Sequence, residues 1–271
     1  MEDTARLTTA ATYNAAADHF DDAPLAFWDR HGQRTVDLLR LSLGSHVLDV
    51  GCGTGASALP AAAAVGRQGR VIGIDIAENM LKRARAKARL GRLGNISFAL
   101  KDMSDSGFPD DAFDAVISVF SVFFVQDMER QVAELWRMVR PGGQLAVTVW
   151  GPGAFEPGAS ILGQELRRQR PDITLSARPW ERLAEAESLR RLFRDGGTCA
   201  PVIQVSEDSQ PLSHPSQWWI IAMGSGYRGQ INQLTPEQQK TVRSQTVQRL
   251  AGMGTEAVET SAVHAIARKP R

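Results

Sequence analysis

The sequence predicts an α/β protein built on a doubly wound, largely parallel sheet that carries helical insertions. Three observations predict it. Short apolar runs alternate with helical patterns through residues 1–150, and a glycine-rich stretch follows the first apolar run. A third signal is Phe113 to Val119, which is apolar on both faces, as a central parallel strand is.

The elements follow in order. His46 to Val50 is the first strand, Arg70 to Ile76 the second, Asn95 to Leu100 the third and Phe113 to Val119 the fourth. Gly143 to Trp150 is the fifth, introduced by the turn Pro141-Gly142-Gly143. Helices fit between them at 55–66, rich in Ala, at 77–91, rich in Lys and Arg, and at 127–139. In the last of these Val132, Leu135, Trp136 and Val139 recur at helical spacing.

After Trp150 the rhythm changes. Gly151-Pro152-Gly153 and Pro157-Gly158 break the chain, and 159–196 is polar and Arg-rich with short helical patterns. Pro201 to Val205 and Ser261 to Ala267 read as two more strands. Between them 214–254 is mostly helical, with Thr235 as a cap and Pro236 at a first helical position. The expected organisation is one domain over 1–271, with 152–186 and 213–254 inserted on the acceptor side of a core at 35–150. Insertions of this kind commonly set selectivity.

Composition narrows the function classes. With 31 Lys+Arg against 30 Asp+Glu in 271 residues, the net charge is +1, which argues against a dedicated nucleic-acid binder. The cationic run Lys82-Arg83, Arg85, Lys87, Arg89 and Arg92 alternates with Met80, Leu81, Ala84 and Ala88 and reads as a helix with a solvated face. Cys52 and Cys199 are too few for a disulfide framework, so a reducing compartment is expected. The acidic start and an apolar run no longer than Ala115 to Val125 argue for a cytoplasmic chain that does not enter a membrane. No His/Cys/Asp cluster has zinc spacing, and no metal is expected.

The most informative segment is Asp49-Val50-Gly51-Cys52-Gly53-Thr54-Gly55, between a strand and a helix. Glycines let the backbone turn sharply and approach a ligand, and a helix start presents free N–H groups. Gly51, Gly53 and Ala56 also fit the loose dinucleotide pattern, so the loop alone leaves an NAD(P)-dependent oxidoreductase open. Acids sharpen the choice. Asp49 would repel a pyrophosphate and welcome an amino group, Asp75 ends the second strand where a carboxylate meets ribose hydroxyls, and Asp102 follows the third. This pattern suits a cationic amino acid joined to an adenosine.

Val47 to Gly55 resembles motif I of the class I S-adenosylmethionine-dependent methyltransferases. Gly73-Ile74-Asp75-Ile76-Ala77-Glu78-Asn79-Met80-Leu81 is similar to their second-strand motif. Asp102-Met103, Phe108 to Asp114 and Arg140-Pro141-Gly142-Gly143 continue in family order. The nearest likeness is to the ubiquinone/menaquinone-type small-molecule methyltransferases, over about residues 35–150.

The resemblance implies a Rossmann-like, seven-stranded sheet whose last strand, at Ser261 to Ala267, runs antiparallel. It implies S-adenosylmethionine as cofactor. Gly51, Cys52 and Gly53 would pass its methionine part and Asp49 its amino group. Asp75 would hold the ribose, Ile76, Met80, Asp102 and Met103 would flank the adenine, and Ser118 would meet the methionyl end. It further implies that residues 1–34 form lid helices, with Tyr13 on the cofactor and His19 as a candidate base.

Methyl transfer from a sulfonium needs alignment and exclusion of water more than a catalytic constellation. The acceptor is expected beyond the carboxyl ends of the strands, where Phe120 and Phe123 offer aromatic walls in place of the Asn/Asp-Pro-Pro-Tyr/Phe motif of nucleic-acid enzymes. Phe20 and Trp28 in the first segment, and Trp218, Trp219 and Tyr227 in the second insertion, are further lining candidates for an aromatic or cationic small molecule. Adjacent tryptophans diverge on a helix, so at most one of the pair is expected to face the core, which leaves the other as a candidate to line a pocket. His214 is a second candidate base, while His31, His46 and His264 fall at structural positions. A non-catalytic S-adenosylmethionine-binding protein and a homo-oligomer are both left open.

Overall fold

The computed structural model describes residues 2–173 and 178–271, with side chains from Thr4 onward. Residues 174–177 of the first expected insertion lie outside the described residues. In chain order the elements are α1 (Glu2–Ala16), α2 (Phe27–Leu39), β1 (His46–Val50), α3 (Ala58–Val65), β2 (Arg70–Asp75), α4 (Glu78–Leu90), β3 (Ile96–Leu100) and β4 (Phe113–Val119). There follow α5 (Met128–Met138), β5 (Val139–Trp150), α6 (Gly158–Gln169), α7 (Ala186–Asp195), β6 (Val202–Ser206), β7 (Ser209–Pro211), α8 (Gln217–Met223), α9 (Arg228–Ile231), α10 (Pro236–Gly252), β8 (Ala257–Glu259) and β9 (Ala262–Arg268). The chain divides into two compact units.

One unit comprises Trp28–Gly151, Pro179–Ser206 and Ala262–Arg271 and holds a seven-stranded sheet of order β3-β2-β1-β4-β5-β9-β6. The chain enters at the middle, runs outward to β3 and returns to place β4 on the other side of β1. The crevice of such a sheet opens at the carboxyl ends of β1 and β4, where the order reverses. β1 to β5 pair in parallel, and β9 is antiparallel to both β5 and β6, as the family resemblance implies. Alanines let α3 lie close: Ala58, Ala61, Ala62 and Val65 pack with Val36 and Leu39 of α2 against Val47, Val71, Ala115 and Ile117 of the sheet.

Two boundaries differ from expectation. Gly51, Gly53 and Gly55 all have positive φ, so the backbone cannot be helical at residue 55, and α3 begins only at Ala58. β5 starts at Val139 instead of Gly143. Its pairing with β4 slips between Phe113 and Ala115, which absorbs the Pro-Gly-Gly turn and lets pairing resume at Gln144.

The second unit gathers Met1–Phe27, Pro152–Arg178 and Glu207–Ser261. α6 and α10 are joined by the buried Glu165, whose Oε1 meets Arg249 at 2.7 Å. α10 opens on a full capping box between Thr235 and Gln238. β7 and β8 form a small antiparallel pair whose three-residue strands carry no alternation to read. Trp218 and Trp219 are both buried. α8 is covered on several sides, with Trp218 close to Phe155, Tyr227 and the Cα of Gly158, where a Cβ would stand 2.5 Å from the indole.

Candidate active site

The glycine loop leaves β1 at Val50 and is clamped to β2 by main-chain bonds. Gly51 N and Cys52 N both donate to Ile74 O, at 2.8 and 3.0 Å. Gly51 has φ +70°, and a Cβ there would sit 2.4 Å from Ser121 Cβ, so both backbone sign and space demand glycine. Ser121 in turn donates to Val50 O at 2.7 Å and pairs with Ser118 Oγ at 2.7 Å. The end of β4 is thereby stitched to the end of β1.

Asp75 closes the loop from the β2 side. Its Oδ2 accepts from Gly53 N at 2.9 Å and its Oδ1 from Ala77 N at 2.8 Å. Each oxygen keeps lone-pair capacity for a ligand hydroxyl. Burial nevertheless pushes the Asp75 carboxyl above its ordinary range, against those amide bonds.

Asp49 is fully buried behind the loop. Ser57 Oγ donates to its Oδ2 at 2.7 Å, while Oδ1 is buried without any hydrogen-bond partner. Desolvation, with a smaller contribution from the charge of Asp75, raises its pKa to about 7. An unpartnered buried carboxylate oxygen is costly and calls for a donor. A cationic amine approaching over the loop would supply one.

Asp102 and Met103 follow β3. Asp102 Oδ1 accepts from Ser104 N at 2.9 Å and caps a short 3-10 turn, and Met103 O accepts from Gln131 at 3.0 Å. Met80 is buried and Ile76 half-buried at the start of α4. Asp49, Gly51, Cys52, Gly53, Asp75, Ile76, Met80, Asp102, Met103 and Ser118 thus all belong to the sheet unit and group around the carboxyl ends of β1 to β4.

Ser121, next to this group, is legible only through the space that Gly51 lacks. Gly73, the first residue of the second-strand motif, is required by packing: a Cβ on it would stand 2.8 Å from Cys52 Sγ. Burial raises the Cys52 thiol well above its ordinary pKa, which makes it an inert filler beneath the loop.

The expected acceptor-side residues are divided between the units. In the sheet unit Phe120, at φ +53°, stacks on Trp150 with centroids 3.8 Å apart, and Trp28 packs edge-on at 5.6 Å. Phe123 lies 5.7 Å from Trp180. The other unit holds Tyr13 and Phe20, edge to face at 6.4 Å, together with Trp218, Trp219 and Tyr227. It also holds His19, whose Nδ1 meets Asp22 Oδ2 at 2.8 Å. His214 is exposed, and its Nδ1 meets Ser216 Oγ at 2.7 Å at the start of α8. Among the described residues no His/Cys/Asp/Glu group could hold a metal ion, and no helix is long and apolar enough to cross a membrane.

Residues 47–143 match the family model of a methyltransferase domain. The chain is 38% identical over 145 residues to the aklanonic acid methyltransferase of a Streptomyces strain, covering 53% of this chain and 66% of that protein. It is 38% identical over 114 residues to the demethylmenaquinone methyltransferase of Listeria welshimeri, covering 42% of this chain and 48% of the relative. The chain thus spans less than two thirds of the length of these curated relatives. The fold is shared with phosphoethanolamine N-methyltransferase 2 of Haemonchus contortus, solved with phosphomonomethylethanolamine and S-adenosylhomocysteine. That match has a TM-score of 0.54 and 19% identity and covers 89% of this chain and 53% of the other. In sequence, residues 47–143 of this chain are similar to a methyltransferase domain, and they include the glycine loop.

Proposed function

We propose that this chain is an S-adenosylmethionine-dependent methyltransferase acting on a small-molecule acceptor. The observation that carries the reading is the buried Asp49, whose unpartnered Oδ1 lies behind a loop of left-handed glycines. A dinucleotide pyrophosphate would meet that carboxylate with repulsion, and the ammonium of a methionyl group would pair with it. The family match and relatives named for methylating small molecules support the same reading.

When bound, the cofactor supplies a methyl group on a positively charged sulfur. Asp49 would pair with its amine, Asp75 would accept from its ribose while holding Gly53 N, and Asp102, Met103, Ile76 and Met80 would flank its base. The backbone at Gly51 to Gly53 and at Ser118 would border its methionyl part. Phe120 and Trp150 are buried and stacked, and beside a bound cofactor they would exclude water and so strengthen polar contacts.

The acceptor then needs a nucleophile aligned with the methyl and, if it must lose a proton, a base. His19 suits that role better than His214. With Asp22 on Nδ1, its Nε2 is the nitrogen left to take a proton, in the manner of an oriented histidine–carboxylate pair. Within the sheet unit, Trp28, Phe120 and Phe123 complete the proposed acceptor set.

Calorimetric titration with S-adenosylhomocysteine, followed by a screen of small acceptors for a mass gain of one methylene, tests this. Binding with turnover is expected. Binding without turnover across the screen would leave a cofactor-binding protein, and binding of a nicotinamide dinucleotide instead would overturn the reading.

A further inference from the structure

The strands that present the glycine loop at their carboxyl ends open a second groove at their amino ends. Its volume is about 780 Å³, within the range of small-ligand sites. It is lined by His46 and Arg70, the paired first residues of β1 and β2, by Arg67 and Gln68 of the turn after α3, and by Arg92 and Asn95 of the turn after α4. Asn95 fixes the floor: its Nδ2 donates to Ala62 O at 2.8 Å and to Gly66 O at 2.9 Å.

The charge of this groove is one-sided. Its lining includes three arginines and no carboxylate, although acids and bases nearly balance over the whole chain. Arg67, Arg70 and Arg92 are exposed, and none forms an ion pair among the described residues. The sequence around Arg92 adds to the field, because residues 79–101 carry seven Lys and Arg and no Asp or Glu. Arg92 also stands at φ +54°, a left-handed conformation that opposes any side chain. The turn ends α4, with Arg92 N donating to Arg89 O at 3.0 Å and Leu93 N to Ala88 O at 3.0 Å. A glycine would be at ease there, yet a guanidinium occupies the position.

We propose that this groove binds a small molecule bearing two or more phosphate groups, at a place separate from the glycine loop. Guanidinium groups grip phosphate oxygens through paired charge-assisted hydrogen bonds, and three of them around one cavity match an anion with several such groups. The proposal stands independently of the methyl-transfer reading.

The test is calorimetric titration of the full chain with tripolyphosphate at low salt. The wild type is expected to bind saturably with one site. The triple variant Arg67→Gln, Arg70→Gln, Arg92→Gly should lose about tenfold or more in affinity. Its S-adenosylhomocysteine titration should match the wild type, which reports an intact sheet. A control triple of equal charge change on exposed arginines elsewhere, Arg182→Gln, Arg191→Gln and Arg243→Gln, should bind tripolyphosphate as the wild type does.

The absence of saturable heat in the wild type overturns the proposal, as does an equal loss in the control. Should the triple variant fail to fold, Arg92→Gly alone decides, since it relieves the left-handed strain and removes one guanidinium. It should weaken binding about threefold or more, and unchanged affinity overturns the proposal.

Discussion

Asp75 Oδ2 accepts a hydrogen bond from Gly53 N at 2.9 Å, so the acid at the end of β2 holds the glycine loop at the end of β1 in place. The same carboxylate also accepts from Ala77 N at 2.8 Å. Asp75→Asn keeps the shape but offers one carbonyl oxygen where two oxygens accept. One buried amide is then left without its partner, at a cost of about 1–3 kcal/mol. We expect a lower melting temperature and at least about tenfold weaker S-adenosylhomocysteine binding, read by calorimetry. Unchanged affinity would show that Asp75 serves the loop alone.

Gly51→Ala should do more damage than an ordinary loop substitution. The new Cβ meets Ser121 Cβ at 2.4 Å and sits on a backbone at φ +70°. A loss of about 2 kcal/mol or more is expected in denaturant melts, with loss of cofactor binding. Adding Ser121→Gly removes the clash and leaves the backbone cost, so stability should return in part. Full stability in Gly51→Ala alone would contradict the close approach seen here.

Asp49 makes ligand binding pH-dependent. Its carboxyl is protonated below about pH 7, because burial penalises the charge, and only the ionised form pairs with an ammonium. Affinity for S-adenosylhomocysteine should rise up to about tenfold per pH unit from pH 5 to 7 and then level off. In the free protein the sign is opposite. Folding retains a proton that the unfolded chain has released above pH 3.8, so this group costs stability as pH rises toward 7. Asp49→Asn should flatten both trends, and a pH-independent affinity in the wild type would exclude the pairing.

His264 supplies a stability trend of the other slope. It is buried in β9, with Nδ1 3.0 Å from Thr148 Oγ1 and 3.1 Å from Thr35 Oγ1, and its Nε2 has no partner. Desolvation, reinforced by His31 and Arg34, lowers its pKa from 6.5 to about 3. The unfolded chain therefore binds a proton that the folded chain refuses, and stability falls as pH drops below 6.5, by about 1.4 kcal/mol per pH unit. Urea melts at pH 7 and pH 5 should show this loss, and His264→Asn should reduce it. An identical slope in the variant would assign the acid sensitivity to other groups.

Most of the sheet unit was legible from local pattern. Apolar runs located β1 to β4 to within a residue or so, and Asp49, Gly51 and Asp75 stood out because each occupies a fixed offset from a strand end. Boundaries failed where a backbone sign or a pairing slip intervened, at Gly55 and at Pro141 to Gly143. The burial of both Trp218 and Trp219 was illegible, since helical geometry separates the two rings but does not say how many neighbours surround a seven-residue helix.

The sequence by itself determined the glycine loop, the acids at the ends of β1 and β2 and just past β3, and the alternation that builds a doubly wound sheet, because each depends on residues near one another in the chain. Only the tertiary structure decided that Asp49 keeps one oxygen without a donor, that Ser121 and Cys52 require glycine at residues 51 and 73, and that Arg67, Arg70 and Arg92 share one groove. Those relationships join residues brought together by the strand order alone, and a short-range pattern carries no record of which distant atoms will meet in space.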